Sequence, residues 1–338
     1  MMMWLKKLLG TQVAVRLTAT AADAAPAFAP ESRTDRNAAP VPLSSADRRL
    51  EADALASMFV EWQLQCEPTR TTPLGPRELR ATHALDALIE GGELPPELLP
   101  RQSSVVPQLL ALLRKEGVPV GRLTERIGKD IMLATEVMRV AGSAHYRARA
   151  AGPVTDLAQA VTALGNDGLQ RAIARVALRP IFEASAQGLA VSAGARLWEH
   201  AQRKATLCAD LAARQGLDPF DGYLAALIHN TGWLVAWRAL DRMEGSVQPP
   251  FSQSFVRQLT LRKDRLFALV CAPWEKSLTL IELAGELRER GLAQASSPLA
   301  TALATADREA MLSLLPGATA SRDEFGGEEA PPLMQSAA

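Results

Sequence analysis

Along most of the chain, apolar residues recur at steps of three and four, and no segment sustains the alternation of a half-buried strand. Leu50, Ala54, Leu55, Met58, Phe59 and Trp62 line one helical face, and a second helix is expected from Pro76, suited to a first turn, to Ile89, where Gly91 and Gly92 stop it. Val105, Val106, Leu109, Leu110 and Leu113 mark another helix, ended by Gly117 and Pro119. Leu123 and Ile127 lie on a short helix, and Leu133, Val137, Met138 and Ala141 on the next, which closes at Gly142 and Ser143. Leu157, Ala160, Val161 and Leu164 repeat behind a Thr155 cap, and Asn166 is expected to cap a helix carrying Leu169, Ile173 and Val176 that kinks or ends at Pro180. Ser192 is a candidate cap for a long helix through Leu197, Ala201, Ala205, Cys208 and Ala212 to Gly216, followed by one with Tyr223, Leu224, Leu227 and Ile228. Helical patterns near 255–270, 278–287 and 299–315 complete the series. The expected fold class is all-α, with packing between short helices supplying most of their stability.

The ends of the chain read differently. In MMMWLKKLL, Trp4, Leu5, Leu8 and Leu9 oppose Lys6 and Lys7, so residues 1–18 are a candidate amphipathic helix. No apolar run there is long enough for a signal peptide or a membrane span, and membrane contact is disfavoured. Residues 19–45 are rich in Ala and Pro and are expected to be a disordered linker; residues 316–338 are expected to be a disordered tail. Charge narrows the function classes further. The 37 Lys and Arg match 37 Asp and Glu, so the chain lacks the basic field that would attract nucleic acid. Cys66, Cys208 and Cys271 are far apart and odd in number, which suits reduced thiols in a cytoplasmic protein.

Only four histidines are present. His83 and His145 have no spaced partner, whereas His200, mid-helix in LWEHAQRKA, and His229, in LAALIHNTGWLV, could be brought together by two helices. The order LWEHA then AALIHN.G, with the two histidines roughly thirty residues apart, resembles the HD superfamily, in particular its HDOD branch of helical output domains. Two further stretches resemble the same branch. LPRQSSVVPQLLALLRKEGVPVGRLTERIGKDIMLATEVMRVAGSAHY is similar to its opening, with a Pro-flanked helix, an "I..D" helix and an "SA.Y" turn; GPVTDLAQAVTALGNDGLQRAIARVAL is similar to its next two helices. Gly142 and Ile131 depart from that pattern, standing where Asn and Pro are frequent.

The resemblance implies a multi-helical HD-like bundle over residues 94–290, preceded by a helical extension at 46–92 and followed by a carboxy-terminal helix at 291–315. In catalytic HD proteins an early His, a His-Asp doublet and a later Asp hold a divalent metal that activates water. Here His200 matches the early position and His229 the doublet histidine, but the doublet aspartate is Asn230, a neutral amide where a hard cation needs charge. Trp233 stands where lysine is frequent, and neither Asp241 nor Asp264 resembles the final ligand. Gly222 and Tyr223 precede the doublet and lack a following proline, so the HD-GYP phosphodiesterase pattern does not apply.

The resemblance therefore implies no metal or other cofactor, no enzyme activity, and a regulatory module of bacterial signal transduction. Its expected partners are signalling proteins such as response regulators or cyclic-dinucleotide enzymes. Two alternatives stay open: a metal-dependent nucleotide phosphohydrolase with an altered site, and a nucleotide-binding sensor without turnover. Arg147, Arg149, Arg171 and Arg175 form a loose basic group that could receive phosphate or an acidic partner, and Trp198 with Trp233 could offer a stacking platform. Solvated faces and core packing are the plainer uses for these six.

Overall fold

A computed structural model describes residues 45–98, 119–143, 154–183, 187–271 and 278–315. All the described residues belong to one compact unit. Among them there is no strand; an isolated bridge between Arg70 and Ser252 is the closest approach to one. The expected amphipathic helix at 1–18, most of the linker at 19–45, the helix around Val105–Leu113 and the tail at 316–338 lie outside the described residues.

The helices, in order, are α1 (Ser45–Leu64), α2 (Pro76–Gly91), α3 (Val120–Gly128), α4 (Ile131–Ala141), α5 (Leu157–Glu183), α6 (Leu189–Arg214), α7 (Pro219–His229), α8 (Thr231–Asp241), α9 (Gln253–Cys271), α10 (Leu278–Arg290) and α11 (Pro298–Leu314). Helix α6 packs along α7 and against α11, while α8 packs on α9 and α9 on α10. Helices α3 and α4 cover α5, and α1 lies across α6 and α9.

Several helix starts differ from the sequence expectation. Helix α6 begins at Leu189, and its first amides donate to the Asp241 carboxylate, at 2.7 Å from Leu189 and 3.0 Å from Ala190. Ser192, the expected cap, lies inside the first turn, because a carboxylate from the end of α8 satisfies the orphan amides better than a local hydroxyl. At α5 the Asp156 carboxylate accepts from the Gln159 amide at 2.8 Å, taking the place expected for Thr155. Helix α5 bends at Gly165 (φ 61°, ψ −168°) and then runs through Pro180 to Glu183, so the proline does not end it.

Two close approaches set the geometry of the centre. A Cβ on Gly222 would lie 2.9 Å from the Cys208 carbonyl oxygen, so glycine lets α7 press onto α6. A Cβ on Gly232 would collide with the Lys263 carbonyl, so glycine at the start of α8 admits α9 next to the α7–α8 junction.

Candidate functional site: a buried ionic centre

Helices α6, α7, α9 and α11, with the α7–α8 junction, deliver seven polar side chains to one buried place: His200, Lys204, His229, Asn230, Lys263, Asp264 and Asp307. His200 and Lys204 are four residues apart and therefore share one face of α6, both with 0% exposure. His229 ends α7, and Asn230 occupies the junction before α8.

The hydrogen bonds close on themselves. Asn230 Nδ2 donates to the Leu197 carbonyl at 2.8 Å and lies 3.0 Å from His200 Nδ1, which turns Asn230 Oδ1 toward Lys204. Lys204 Nζ donates to Asn230 Oδ1 at 2.6 Å and Asp307 Oδ1 at 2.7 Å, and lies 2.9 Å from His229 Nδ1. Three acceptors around Nζ use three N–H bonds, which only the ammonium form carries. With His229 Nδ1 accepting, its Nε2–H donates to Asp264 Oδ1 at 2.9 Å. Asp264 Oδ1 also accepts from Lys263 Nζ at 2.6 Å, and Oδ2 from the Leu292 amide at 2.8 Å. His200 Nε2 faces the Asp307 carbonyl at 3.3 Å.

Charge follows the same pairing. Burial pushes the His200 imidazole down to about 3, helped by the Lys204 ammonium, and burial with Lys263 and Lys204 pushes His229 down to about 4. Both imidazoles are neutral at pH 7. Burial works to raise the Asp264 and Asp307 carboxyls. Lys263 and His229 overcome it at Asp264, and Lys204 and His200 at Asp307, so both sit well below the usual carboxylate range. Burial also lowers Lys204, with Asp307 opposing it. Two ammonium groups thus face two carboxylates.

The resemblance to HD proteins implies a divalent metal, and the donor set here does not fit one. Asn230 offers a neutral oxygen. The His229, Asn230 and Asp307 atoms that would face a cation already accept from Lys204, and the His200 Nδ1 lone pair faces Asn230. Among the described residues no group of His, Cys, Asp or Glu has a metal-holding arrangement.

The structure places His200, His229 and Asn230, singled out in the sequence, in one centre, together with four residues that the sequence reading did not put there. That reading set aside Asp264, which the structure places against His229, while Asp241 serves as the cap of α6. The missed signal was a charge on an apolar stripe: Lys204 lies between Leu197 and Cys208 on α6, and Asp307 between Leu303 and Met311 on α11.

The other candidate residues go elsewhere. Arg147 and Arg149 lie outside the described residues. The Arg175 guanidinium pairs with Glu136 at 2.9 Å, and Arg171 lies over the Tyr223 ring, 5.3 Å from its centroid. Trp198 packs on Phe182, whereas Trp233 stacks on Trp237 and meets Phe59 edge-on. The two tryptophans are buried in separate aromatic groups and do not form a shared platform. Burial pushes the Cys208 thiol up to about 12, which removes it as a nucleophile at neutral pH.

The helical architecture around paired histidines from α6 and α7 defines an HD-related domain. Residues 99–263 match the family model of the HDOD domain, a relative of the HD phosphohydrolases. The fold is similar to that of an HDOD domain protein of unknown function from Geobacter sulfurreducens (TM-score 0.53, 20% identity, covering 76% of this chain and 83% of that one). It is also similar to a protein provisionally assigned as a metal-dependent phosphohydrolase from Shewanella amazonensis (TM-score 0.54, 16% identity, covering 74% and 90%). No curated protein matches the sequence. The family match ends at Lys263, so both carboxylates of the centre, Asp264 and Asp307, come from beyond it. No helix among the described residues is long and apolar enough to cross a membrane.

Proposed function

We propose that the protein is a non-catalytic module of bacterial signal transduction that acts in the cytoplasm through protein–protein contacts. The observation that carries this reading is the Lys204 ammonium in hydrogen-bond contact with His229, Asn230 and Asp307, where water activation would require a divalent cation. A neutral amide at Asn230 in place of a carboxylate supports it further. HD hydrolysis depends on a metal-bound water, and a centre whose lone pairs are committed to an internal ammonium offers no place to make one. What the HDOD fold then supplies is a rigid helical body, suited to presenting a surface to signalling proteins such as response regulators or cyclic-dinucleotide enzymes.

The test has two arms. Purified protein is expected to hydrolyse neither nucleoside triphosphates nor cyclic dinucleotides with Mn²⁺ or Mg²⁺. In the second arm, cross-linking in the source cells is expected to recover a defined signalling partner. Turnover that survives purification and is lost in a folded His229→Gln variant would replace this reading with the phosphohydrolase one.

A further inference from the structure

We infer that the Lys204 ammonium is a built-in replacement for the divalent cation of the HD fold: a cation carried by the chain itself that fastens α6, α7 and α11 at one point and keeps metal out. The inference concerns what occupies the centre; it shares the geometry used for the functional reading but does not depend on any partner or on turnover.

Three observations converge. The first is coordination. Nζ lies within 2.9 Å of an imidazole nitrogen, an amide oxygen and a carboxylate oxygen contributed by α7, the α7–α8 junction and α11. Those donors are the kinds that would surround a metal, and each now receives an N–H. The second is orientation. Asn230 is fixed by its Nδ2 bonds to the Leu197 carbonyl and toward His200, so its oxygen is held on Lys204. His229 is fixed by Asp264 at its other ring nitrogen, so its Nδ1 lone pair is held there too. A ligating histidine is normally oriented by a carboxylate at its second nitrogen, and Asp264 plays that part toward an ammonium. The third is charge. Lys204 answers Asp307 and Lys263 answers Asp264, so the centre is neutral with both imidazoles uncharged. A metal added beside Lys204 would bring two further positive charges into a desolvated space with no carboxylate left to meet them.

The pairing also ties α11 to the centre. Asp307 is the carboxylate that this helix brings to the centre, where it meets Lys204 on the facing side of α6, 103 positions earlier. A metal commonly joins distant segments in this way and makes folding depend on its supply. A lysine does so without that dependence.

Two substitutions should turn the centre back. Lys204→Ala removes the internal cation and opens its space, and Asn230→Asp restores the missing carboxylate beside His200, His229 and Asp307. Mn²⁺ alone is the probe, read as metal retained after dialysis and as the shift in thermal unfolding on adding Mn²⁺, since a ligand bound only by the folded state raises stability. Wild type is expected to retain no Mn²⁺ and to unfold at the same temperature with Mn²⁺ or with chelator. The K204A/N230D variant is expected to retain about one equivalent and to be stabilised by it, whereas N230D alone should retain none.

Wild-type protein holding stoichiometric Mn²⁺ that is lost in His229→Gln would overturn the inference, and so would a folded double variant that retains no Mn²⁺. A separate cycle tests the fastening itself. Lys204→Met should lower the unfolding midpoint sharply, and adding Asp307→Asn should recover much of the loss; a combined loss equal to the two single losses would overturn the pairing. Mn²⁺ in the wild-type centre without turnover would sink this inference and spare the functional reading. Metal-independent hydrolysis by wild type would do the opposite.

Discussion

The buried centre and the outer face of α1 both tie distant parts of the chain together with ion pairs, yet they do so in opposite electrostatic settings. On the outer face, Arg257 meets Asp53 at 2.8 Å with side chains 54% and 35% exposed, and Arg308 meets Glu51 in the same manner. In the centre, Lys204 meets Asp307 at 2.7 Å with side chains 0% and 11% exposed. The distances are nearly equal. Water screens the first pair and leaves each partner solvated when the other is removed, whereas a lone charge in the centre has nothing to replace its partner. Similar contacts therefore carry very different consequences.

The strongest way to sharpen this contrast is Lys204→Met, which keeps the volume and leaves Asp307 buried without its cation. It is expected to destabilise the fold by about 3–5 kcal/mol in denaturant unfolding. A loss below about 1 kcal/mol would place the centre in the same class as the surface pairs.

Acid should separate the two regions next. His200 and His229 titrate at about 3 and about 4 in the fold, against 6.5 when unfolded. Between those values the unfolded chain binds more protons than the native one, so stability falls as pH drops from about 6.5 toward 4. Each histidine contributes a slope of about 1.4 kcal/mol per pH unit once the unfolded imidazole is protonated. Asp264 and Asp307, also held low, add their own loss as pH falls through the usual carboxylate range, where the unfolded carboxyls protonate first, and on below it. Urea unfolding at a series of pH values measures the slope, and a flat profile from pH 6.5 to 4.5 would contradict the neutral-imidazole assignment.

A smaller effect is expected from Gly232→Ala, whose added methyl meets the Lys263 carbonyl and must push α9 away from the α7–α8 junction. A cost of about 1–3 kcal/mol is expected, as for other overpacked contacts. The smallest belongs to the surface: Arg257→Ala should cost at most about 1 kcal/mol, and raising the salt concentration should shrink that difference. The loss at Lys204 should change little with salt.

Much of this was legible along the chain. The three-and-four spacing located the helices, because a helix that packs on one side must repeat its apolar residues every turn. Pro76 and the Gly91–Gly92 pair bounded α2 for local steric reasons. His200 and His229 could be paired because the resemblance supplied the relation between their helices. The caps of α6 and α5 were misplaced for different reasons. At α5 two adjacent polar residues competed, and at α6 the acceptor came from Asp241, far along the chain.

The sequence by itself determined an all-helical chain, two histidines on neighbouring helices and an amide where a carboxylate would serve a metal. It also held a clue that went unused, since Lys204 and Asp307 interrupt apolar stripes where a charge needs a buried partner. Only the tertiary structure decided which partner each charge would have. Spacing along one helix specifies which face a side chain shares, but not what another helix places opposite it. The arrangement of α6, α7, α9 and α11 made that choice, setting an ammonium among acceptors that could otherwise have faced a metal.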